Sequence, residues 1–313
     1  MIIGHSVVID FDKMCETRII TISTVSQCNE YFLQNTLNPL VSLIDLSDSD
    51  CCRLLQIDLY SVLFQNVSTC SCFGWRDCDF SEGTLAFFPP NRLINMSLWN
   101  KGMKGTSRLL CFHPSLVSRI WLEEHLGGYT YFRYRQDEAL HLSKREQNVV
   151  CTCMDGIKEE LEWGTDEYSQ LLLTNRIEVL LNTCARFYNR QFITRHEVGK
   201  KLIKQMDELL DNYFFSGKVM QKGLPTAEYF SRMQGHSPAY LDDLLRHETG
   251  KNIDEYVKIS QFRLACGLLL HTDKTVTDIV KELGYTSSQH FCYLFKRVTG
   301  FTPNAYRWYN ATL

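Results

Sequence analysis

The chain lacks any run of roughly 18 or more apolar residues, and its opening, MIIGHSVVIDFDKMCETRII, has no basic stretch leading into a continuous apolar core. Neither a helical membrane span nor a secretory leader is expected, and the cytoplasm is the expected compartment. No Pro, Gly or Gln tract is present, and a hydrophobic content of 44% with 22% charged residues is that of a folded soluble protein. G-x-S-x-G, P-loop and G-x-G-x-x-G patterns are missing, which removes the commonest local signatures of esterase, nucleotide-hydrolysing and dinucleotide-binding chemistry. Histidine is scarce at the front. His5 is the only one before His113, so a His-x-His pair with a carboxylate, the metal site of a barrel enzyme, has no ligands there.

Cysteine is plentiful but lacks a pattern. The count is 13, an odd number without C-x-x-C spacing. Cys70, Cys72, Cys78 and the Cys151, Cys153 pair therefore read as reduced, mostly buried thiols rather than as zinc ligands, redox sensors or a disulfide framework. No metal and no cofactor are expected.

What is present is length, and a change of texture along it. At 313 residues the chain exceeds the roughly 250–300 residues at which single cores stop growing, so two or three structural units are expected. Net charge is -3. Residues 222–313 carry 11 Lys and Arg against 9 Asp and Glu, leaving 22 against 27 elsewhere; the contrast is too weak to imply nucleic acid, and only pattern can.

Up to about residue 112 the signals are strands and turns: CRLLQIDLYSVLF, GTLAFFPP, NMSLWN and SRLLCFH, each bounded by polar residues, Gly, Pro or Asn. Helical patterns follow in HPSLVSRIWLEEHL, SKREQNVVCTCMDGIKEELEW and YSQLLLTNRIEVLLNTCARFYNR. The last places Leu173, Ile177, Leu180, Leu181, Cys184 and Tyr188 in one apolar stripe, wide enough to bury against a partner. A further helix, HEVGKKLIKQMDELLDNYFF, sets Val198, Leu202, Met206, Leu209 and Tyr213 on one side. SGKVMQKGLP, with Gly217, Gly223 and Pro225, is the expected linker.

Beyond the linker one grammar occurs twice. Val276, Ile279, Val280 and Leu283 fall at i, i+3, i+4 and i+7, and Gly284 stands where a left-handed helix cap needs no Cβ. Thr286 or Ser287 can cap the next helix, in which Phe291, Leu294, Phe295 and Val298 repeat the spacing up to Gly300. So short a break between two steeply packed helices is helix-turn-helix geometry. With Phe291 at zero on a helical wheel, Gln289, Cys292, Tyr293 and Lys296 fall at roughly 100° to 200°. Such a face suits a DNA groove, Gln reading an adenine edge and Lys296 and Arg297 neutralising phosphates, although a lone helix of this kind is more often a solvated surface. Upstream, PTAEYFSRMQGHSPAYLDDLLRHETG carries Tyr229, Phe230 and Met233, a turn at Gly235 and His236, a Ser237 cap with Pro238 at the first helical position, and then Leu241, Leu244 and Leu245. NIDEYVKISQFRLACGLLLH forms a helix between the two copies through Tyr256, Ile259, Ala265 and Leu269. Two copies are far less easily coincidental than one.

These residues carry a resemblance. HSPAYLDDLLRHETGKNIDEYV, RLACGLLLHTDKTVTDIVKELGY and HFCYLFKRVTGFTPNAYR, within residues 224–307, resemble the double helix-turn-helix domain of the AraC/XylS family of bacterial transcription regulators. FHPSLV through FRYRQDEALHLSKRE is more loosely similar to members with a cupin-like sensory domain followed by dimerising helices. The resemblance implies that each monomer inserts two recognition helices into successive major grooves, about one helical turn apart. On this sequence the second helix would use Ser288, Gln289, His290, Cys292 and Tyr293, and the first Pro238, Ala239, Asp242 and Asp243, with Arg246 near the backbone. The acidic Asp242 and Asp243 stand where polar or basic residues are common, and Gln234 and His236 stand in the first turn where apolar ones are usual. The second unit is therefore expected to contribute more affinity. A methyl-accepting repair protein can carry the same DNA domain, but its zinc-bound cysteine cluster has no spacing to match here.

The expected protein is an α+β multidomain chain. A cupin-like β-barrel with flanking helices, for sensing and dimerisation, spans 1–192, a connecting helix and linker 193–221, and an all-α domain of two helix-turn-helix units joined by a linker helix 222–313. Its function is that of a sequence-specific transcription regulator, not an enzyme. The partners expected are double-stranded DNA, a second copy through the 168–190 helix, a small-molecule effector and, by resemblance, RNA polymerase; no membrane is expected. The effector site is not assigned, though Trp75, Phe87, Phe88, Arg92 and Trp99 are available to line one. The alternative is a cupin-type metalloenzyme or a metal or redox sensor with accessory DNA binding.

Overall fold

In the computed structural model, which describes residues 19–46, 54–66, 73–95, 107–116 and 126–311, the chain divides into two units, Met1–Gln191 and Phe192–Leu313. Most of NMSLWN lies outside the described residues. So does the middle of HPSLVSRIWLEEHL, of which Pro114–Leu116 forms a 3-10 turn.

The first unit is rich in sheet. Ile20–Ile22 (β1), Leu54–Ile57 (β3) and Arg92–Asn95 (β6) form one sheet in the order β1-β3-β6, with β1 parallel to β3. Val41–Leu46 (β2), Ser107–Phe112 (β7), Tyr60–Gln65 (β4), Gly83–Phe88 (β5) and Leu140–Leu142 (β8) form a second, antiparallel throughout, in the order β2-β7-β4-β5-β8. Its register lines Ile44, Leu109, Leu63 and Ala86 across one face and Leu43, Leu110, Val62 and Phe87 across the other. Successive side chains point to opposite faces, so a slip of one residue would exchange the two rows.

The first row meets Ile22, Leu55, Ile57 and Ile94 of the smaller sheet, together with Val25 and Cys28 of the helix Val25–Tyr31 (α1), in one core. Asp58 and Leu59 alone carry the chain from β3 in one sheet to β4 in the other. That short corner stacks the sheets instead of continuing one into the next. The mixed α+β organisation expected from the sequence is present, but among the described strands neither sheet closes into the expected barrel.

The second row is covered by aromatics. Phe87 lies 4.5 Å from Tyr131 between ring centroids, Tyr131 lies 5.3 Å from Tyr188, and Tyr60 stacks on Phe112. Tyr188 belongs to Ser169–Thr194 (α3), which follows Lys144–Trp163 (α2). Its stripe of Leu173, Ile177, Leu180, Leu181, Cys184 and Tyr188 is fully buried, and the Tyr131 hydroxyl donates to the Leu181 carbonyl at 2.9 Å. The stripe thus has its partner inside its own unit. Leu171, Leu172 and Val179, with Tyr168 just before the helix, remain exposed on the outer side.

The second unit is helical: His196–Phe215 (α4), Lys218–Lys222 (α5), Ala227–Gln234 (α6), Pro238–Thr249 (α7), Ile253–His271 (α8), Val276–Glu282 (α9), Ser288–Thr299 (α10) and Pro303–Ala311 (α11). One core joins Met206, Leu210, Tyr213 and Phe214 of α4 to Phe230, Leu241, Leu245, Val257, Ile279, Phe291 and Phe295. The helix read from sequence as a connector is therefore a wall of this core. The segment read as a linker holds α5, whose Val219 is buried in the same core.

Gly284, after α9, has φ +75°, and a Cβ placed there would lie 2.2 Å from Val219 Cγ1. Gly300, after α10, has φ +81° with open space around it. Gly300→Ala is expected to cost about 1–2 kcal/mol, the strain of a left-handed alanine. Gly284→Ala is expected to cost a further ~1–3 kcal/mol from overpacking. Urea unfolding of both variants measures the difference; equal losses would mean that Val219 gives way freely.

Candidate nucleic-acid interface

The second helix-turn-helix is built by caps and two aromatic anchors. The Thr275 hydroxyl accepts from Asp278 N and the Asp278 carboxylate accepts from Thr275, closing a capping box at the start of α9. These hydrogen bonds hold the exposed Asp278 carboxyl below its ordinary pKa. Gln261, buried on α8, donates to the Leu283 carbonyl at 2.7 Å and so satisfies the far end of α9. Ser287 then caps α10 by accepting from His290 N. Phe291 and Phe295 are fully buried, with Phe291 4.8 Å from Tyr285 and Phe295 5.2 Å from both Phe262 and Tyr306.

With those rings inside, Gln289, His290, Tyr293, Lys296 and Arg297 are exposed, Tyr293 at 66%. Ser288 and Cys292 are half-buried, and Cys292 packs against the core. Five of the seven residues singled out on this helix therefore stand free, and two are partly enclosed. The four-residue apolar stripe is also narrower than its spacing implies: Leu294 is half-buried and Val298 is 60% exposed. Both line a cavity of about 550 Å³ with Leu224, Ile259, Phe262 and His290. Ile259, expected inside, is 41% exposed on the same side. Helical period alone does not tell a core from an apolar cleft.

The first unit is assembled differently. Ser237 caps α7 by accepting from Tyr240 N, and Pro238 occupies the first turn. Tyr240, Leu241, Leu244 and Leu245 are buried, which leaves Pro238, Ala239, Asp242 and Asp243 half-buried and Arg246 exposed. Asp242 is committed: one carboxylate oxygen accepts from Ile253 N at 2.8 Å, at the first turn of α8, and the other accepts from Arg246 Nη2 at 3.1 Å. Hydrogen bonding by Asp242, with Asp243 nearby, holds the Arg246 guanidinium above its ordinary pKa. The acidic residue that fits a reading face poorly is a clamp between α7 and α8.

The polar first turn has a similar explanation. Gln234 Nε2 donates to the Leu202 carbonyl of α4 at 2.9 Å, and His236 stacks on Tyr240 with centroids 5.2 Å apart. Farther along, His196 Nδ1 lies 3.0 Å from Glu248 Oε1, and Gly199 admits Leu244 at close range. Helix α4 braces the first helix-turn-helix through its Leu202, His196 and Gly199 contacts. Nothing in the local pattern of α6 and α7 announces it, because the brace lies some thirty residues upstream.

The aromatic and basic residues considered for an effector do not converge. Phe87 and Phe88 point to opposite faces of β5, Phe88 into the core between the sheets. Arg92 donates to the Tyr134 carbonyl at 2.6 Å, and burial lowers its guanidinium pKa. Trp75 is half-buried, and Trp99 lies outside the described residues. A cavity of about 410 Å³ lies elsewhere in this unit, lined by Tyr60, Tyr129, Phe132 and Arg133 among others. Cys78 is exposed and Cys151 and Cys153 are half-buried on α2; Cys70 and Cys72 lie outside the described residues. Among the described residues no three His, Cys, Asp or Glu side chains are grouped so as to hold a metal ion. No described helix is long and apolar enough to cross a membrane.

A family model described as a helix-turn-helix domain matches residues 230–308. The chain is similar to the regulatory protein SoxS of Escherichia coli (strain K12), with 32% identity over 115 residues, 37% of this chain and 97% of SoxS. It is 35% identical over 82 residues to the uncharacterized HTH-type transcriptional regulator YtdP of Bacillus subtilis, 26% of this chain and 11% of that protein. It is 31% identical over 113 residues to the HTH-type transcriptional activator RhaR of Klebsiella pneumoniae, 36% of this chain and 40% of RhaR. The chain thus spans nearly all of SoxS but well under half of YtdP and RhaR.

The clamp can be tested apart from DNA. Asp242→Ala is expected to lower stability by about 0.5–2 kcal/mol, the usual loss of a helix cap, and Asp242→Asn, which keeps an acceptor for Ile253 N, by less. Thermal unfolding of the two variants measures this; an unchanged Asp242→Ala midpoint would remove the clamp.

Proposed function

The chain belongs to the AraC/XylS family of transcription regulators, and from that premise we propose that it is a sequence-specific DNA-binding regulator that presents α7 and α10 to successive major grooves of one duplex. The observation that carries the reading is the division of α10. Phe291 and Phe295 are buried while Gln289, His290, Tyr293, Lys296 and Arg297 share the exposed side. Gln289 and Tyr293 read base edges, with His290 and the half-buried Ser288 and Cys292 at the margin. Lys296 and Arg297 meet phosphate. On α7, Pro238 and Ala239 approach the groove at the helix start, Asp243 flanks it, and Arg246, only weakly held by an exposed ion pair, can exchange Asp242 for phosphate.

The first unit is proposed as the sensory part, a cupin-like domain of two stacked sheets that responds to a small-molecule effector. Residues 1–192 would serve sensing and dimerisation and 222–313 DNA binding, with 193–221 linking them through helices that are themselves packed into the core of the helical unit. RNA polymerase is the further partner proposed. A second copy would pack on the outer face of α3, where Leu171, Leu172 and Val179 are exposed beside Tyr168. The buried stripe of α3 is already occupied and cannot serve.

Binding selection on random duplexes at fixed salt tests the reading face. Gln289→Ala and Tyr293→Ala are each expected to cost about 1–3 kcal/mol at one base position, and Lys296→Ala to weaken all sequences alike. Log affinity should fall linearly with log salt, with a shallower slope for Lys296→Ala. Unchanged preference in both of the first two variants would sink the assignment of α10, and a flat salt response would leave the unit a protein-interaction module.

Sedimentation tests the dimer. Val179→Asp is expected to shift the protein from dimer to monomer at micromolar concentration without loss of helix content; an unshifted dimer would place the interface elsewhere.

A further inference from the structure

Between α2 and α3 lies a cavity of about 400 Å³ that none of these roles uses, lined by Arg145, Glu146 and Val149 of α2 and by Arg186, Phe187 and Arg190 of α3. Its single carboxylate is already saturated. Glu146 accepts from the Ser143 backbone and hydroxyl at the start of α2, and from Arg190 Nε at 3.0 Å and Nη2 at 2.8 Å. Arg190 is itself immobilised: Nη2 also donates to the His141 carbonyl at 2.7 Å, and the guanidinium lies 4.8 Å above the Phe80 ring. Its remaining nitrogen, Nη1, is buried without an acceptor among the described residues. A buried charged donor left unpaired is costly, and folded proteins rarely leave one so.

Arg145 and Arg186 stand on the two sides of the cleft, both exposed and neither with a hydrogen bond or ion pair among the described residues. Once Glu146 is set against Arg190, the lining holds two uncompensated positive charges. The first turn of α2 brings the positive end of a helix to the same place. Val149 and Phe187 supply an apolar surface beside these charges, and the volume is that of a one-ring ligand. Planar guanidinium forks suit the paired oxygens of phosphate or carboxylate.

We infer that the cleft between α2 and α3 is a binding site for a small organic dianion, its charged groups held by Arg145 and Arg186, with Arg190 fixed behind them, and its apolar body on Val149 and Phe187. Phosphate monoesters and dicarboxylates share this chemistry. Site and ligand class are independent of the reading of α10.

Calorimetric titration of the full chain with phenyl phosphate and with phthalate, each against sodium chloride at equal ionic strength, tests the site. At least one probe is expected to bind saturably at one site with Kd below about 1 mM. Binding of phenyl phosphate alone assigns the site to phosphate esters, and binding of phthalate alone to dicarboxylates. The double variant R145S/R186S alters only exposed side chains, so its ligand-free thermal unfolding should match that of the parent. Its affinity is expected to fall at least about tenfold. The inference is overturned if neither probe binds beyond the matched-salt background, or if R145S/R186S binds as the parent does, which would place the anion on other basic residues.

Discussion

The contact of the Gly284 backbone with Val219 governs the geometry of the second helix-turn-helix. Helix α9 has 7 residues and α10 has 12, lengths at which an isolated helix is marginal in water. Neither has a direction of its own; each takes it from the core. The turn between them can pass close to α5 only because position 284 carries no side chain and accepts a positive φ. That approach lets Ile279, Val280 and Leu283 on one side of the break and Phe291 and Phe295 on the other enter the same core. The polar face of α10 is what remains once this packing is satisfied, so its direction is set by buried residues.

The two helix-turn-helix units reach similar shapes by different means. In the second, two phenylalanines and a buried glutamine, Gln261, do the holding. In the first, polar groups do it: Asp242 to Ile253 N, Gln234 to the Leu202 carbonyl, and His196 to Glu248. Hydrogen bonds are directional and apolar contacts are not, so the first unit is specified more by angle and the second more by volume. This also explains why α4 belongs with these helices. Without it, the glutamine in the first turn would be poorly matched to its position.

Much of this was legible in the residues, and what was missed has physical reasons. Helix limits near Gly284 and Gly300, the Ser237 and Ser287 caps and the buried Phe291 and Phe295 follow from local chemistry, which short spacing records faithfully. The role of α4 does not, because its partners lie thirty to fifty residues away and its own amphipathic stripe fits a connector equally well. Val298 and Ile259 lie in an exposed apolar cleft: helical periodicity marks an apolar side without saying what covers it. For Asp242 a carboxylate on this helix has two explanations, a base partner or a neighbouring helix start, and only the fold brings Ile253 N to it. In the first unit the strands were recognisable, but stacking over closure turns on a two-residue corner at Asp58 and Leu59 that composition does not reveal.

The unequal construction has a consequence for recognition. A side chain reads a base only if its hydrogen-bonding atoms are free when DNA arrives, since atoms already paired must exchange one partner for another at little net gain. On α10 the exposed Gln289 and Tyr293 have no hydrogen bond to give up among the described residues. On α7, Asp242 is bound at both oxygens, and taking it away from Ile253 N would unpin α8, the helix that also carries Gln261 to the second unit. Discrimination by Asp242 would therefore be opposed by the stability of the whole helical unit, whereas discrimination by α10 is not. The physical expectation is a protein whose second helix carries most of the sequence preference, while the first, through Arg246 and the start of α7, fixes position on the phosphate backbone.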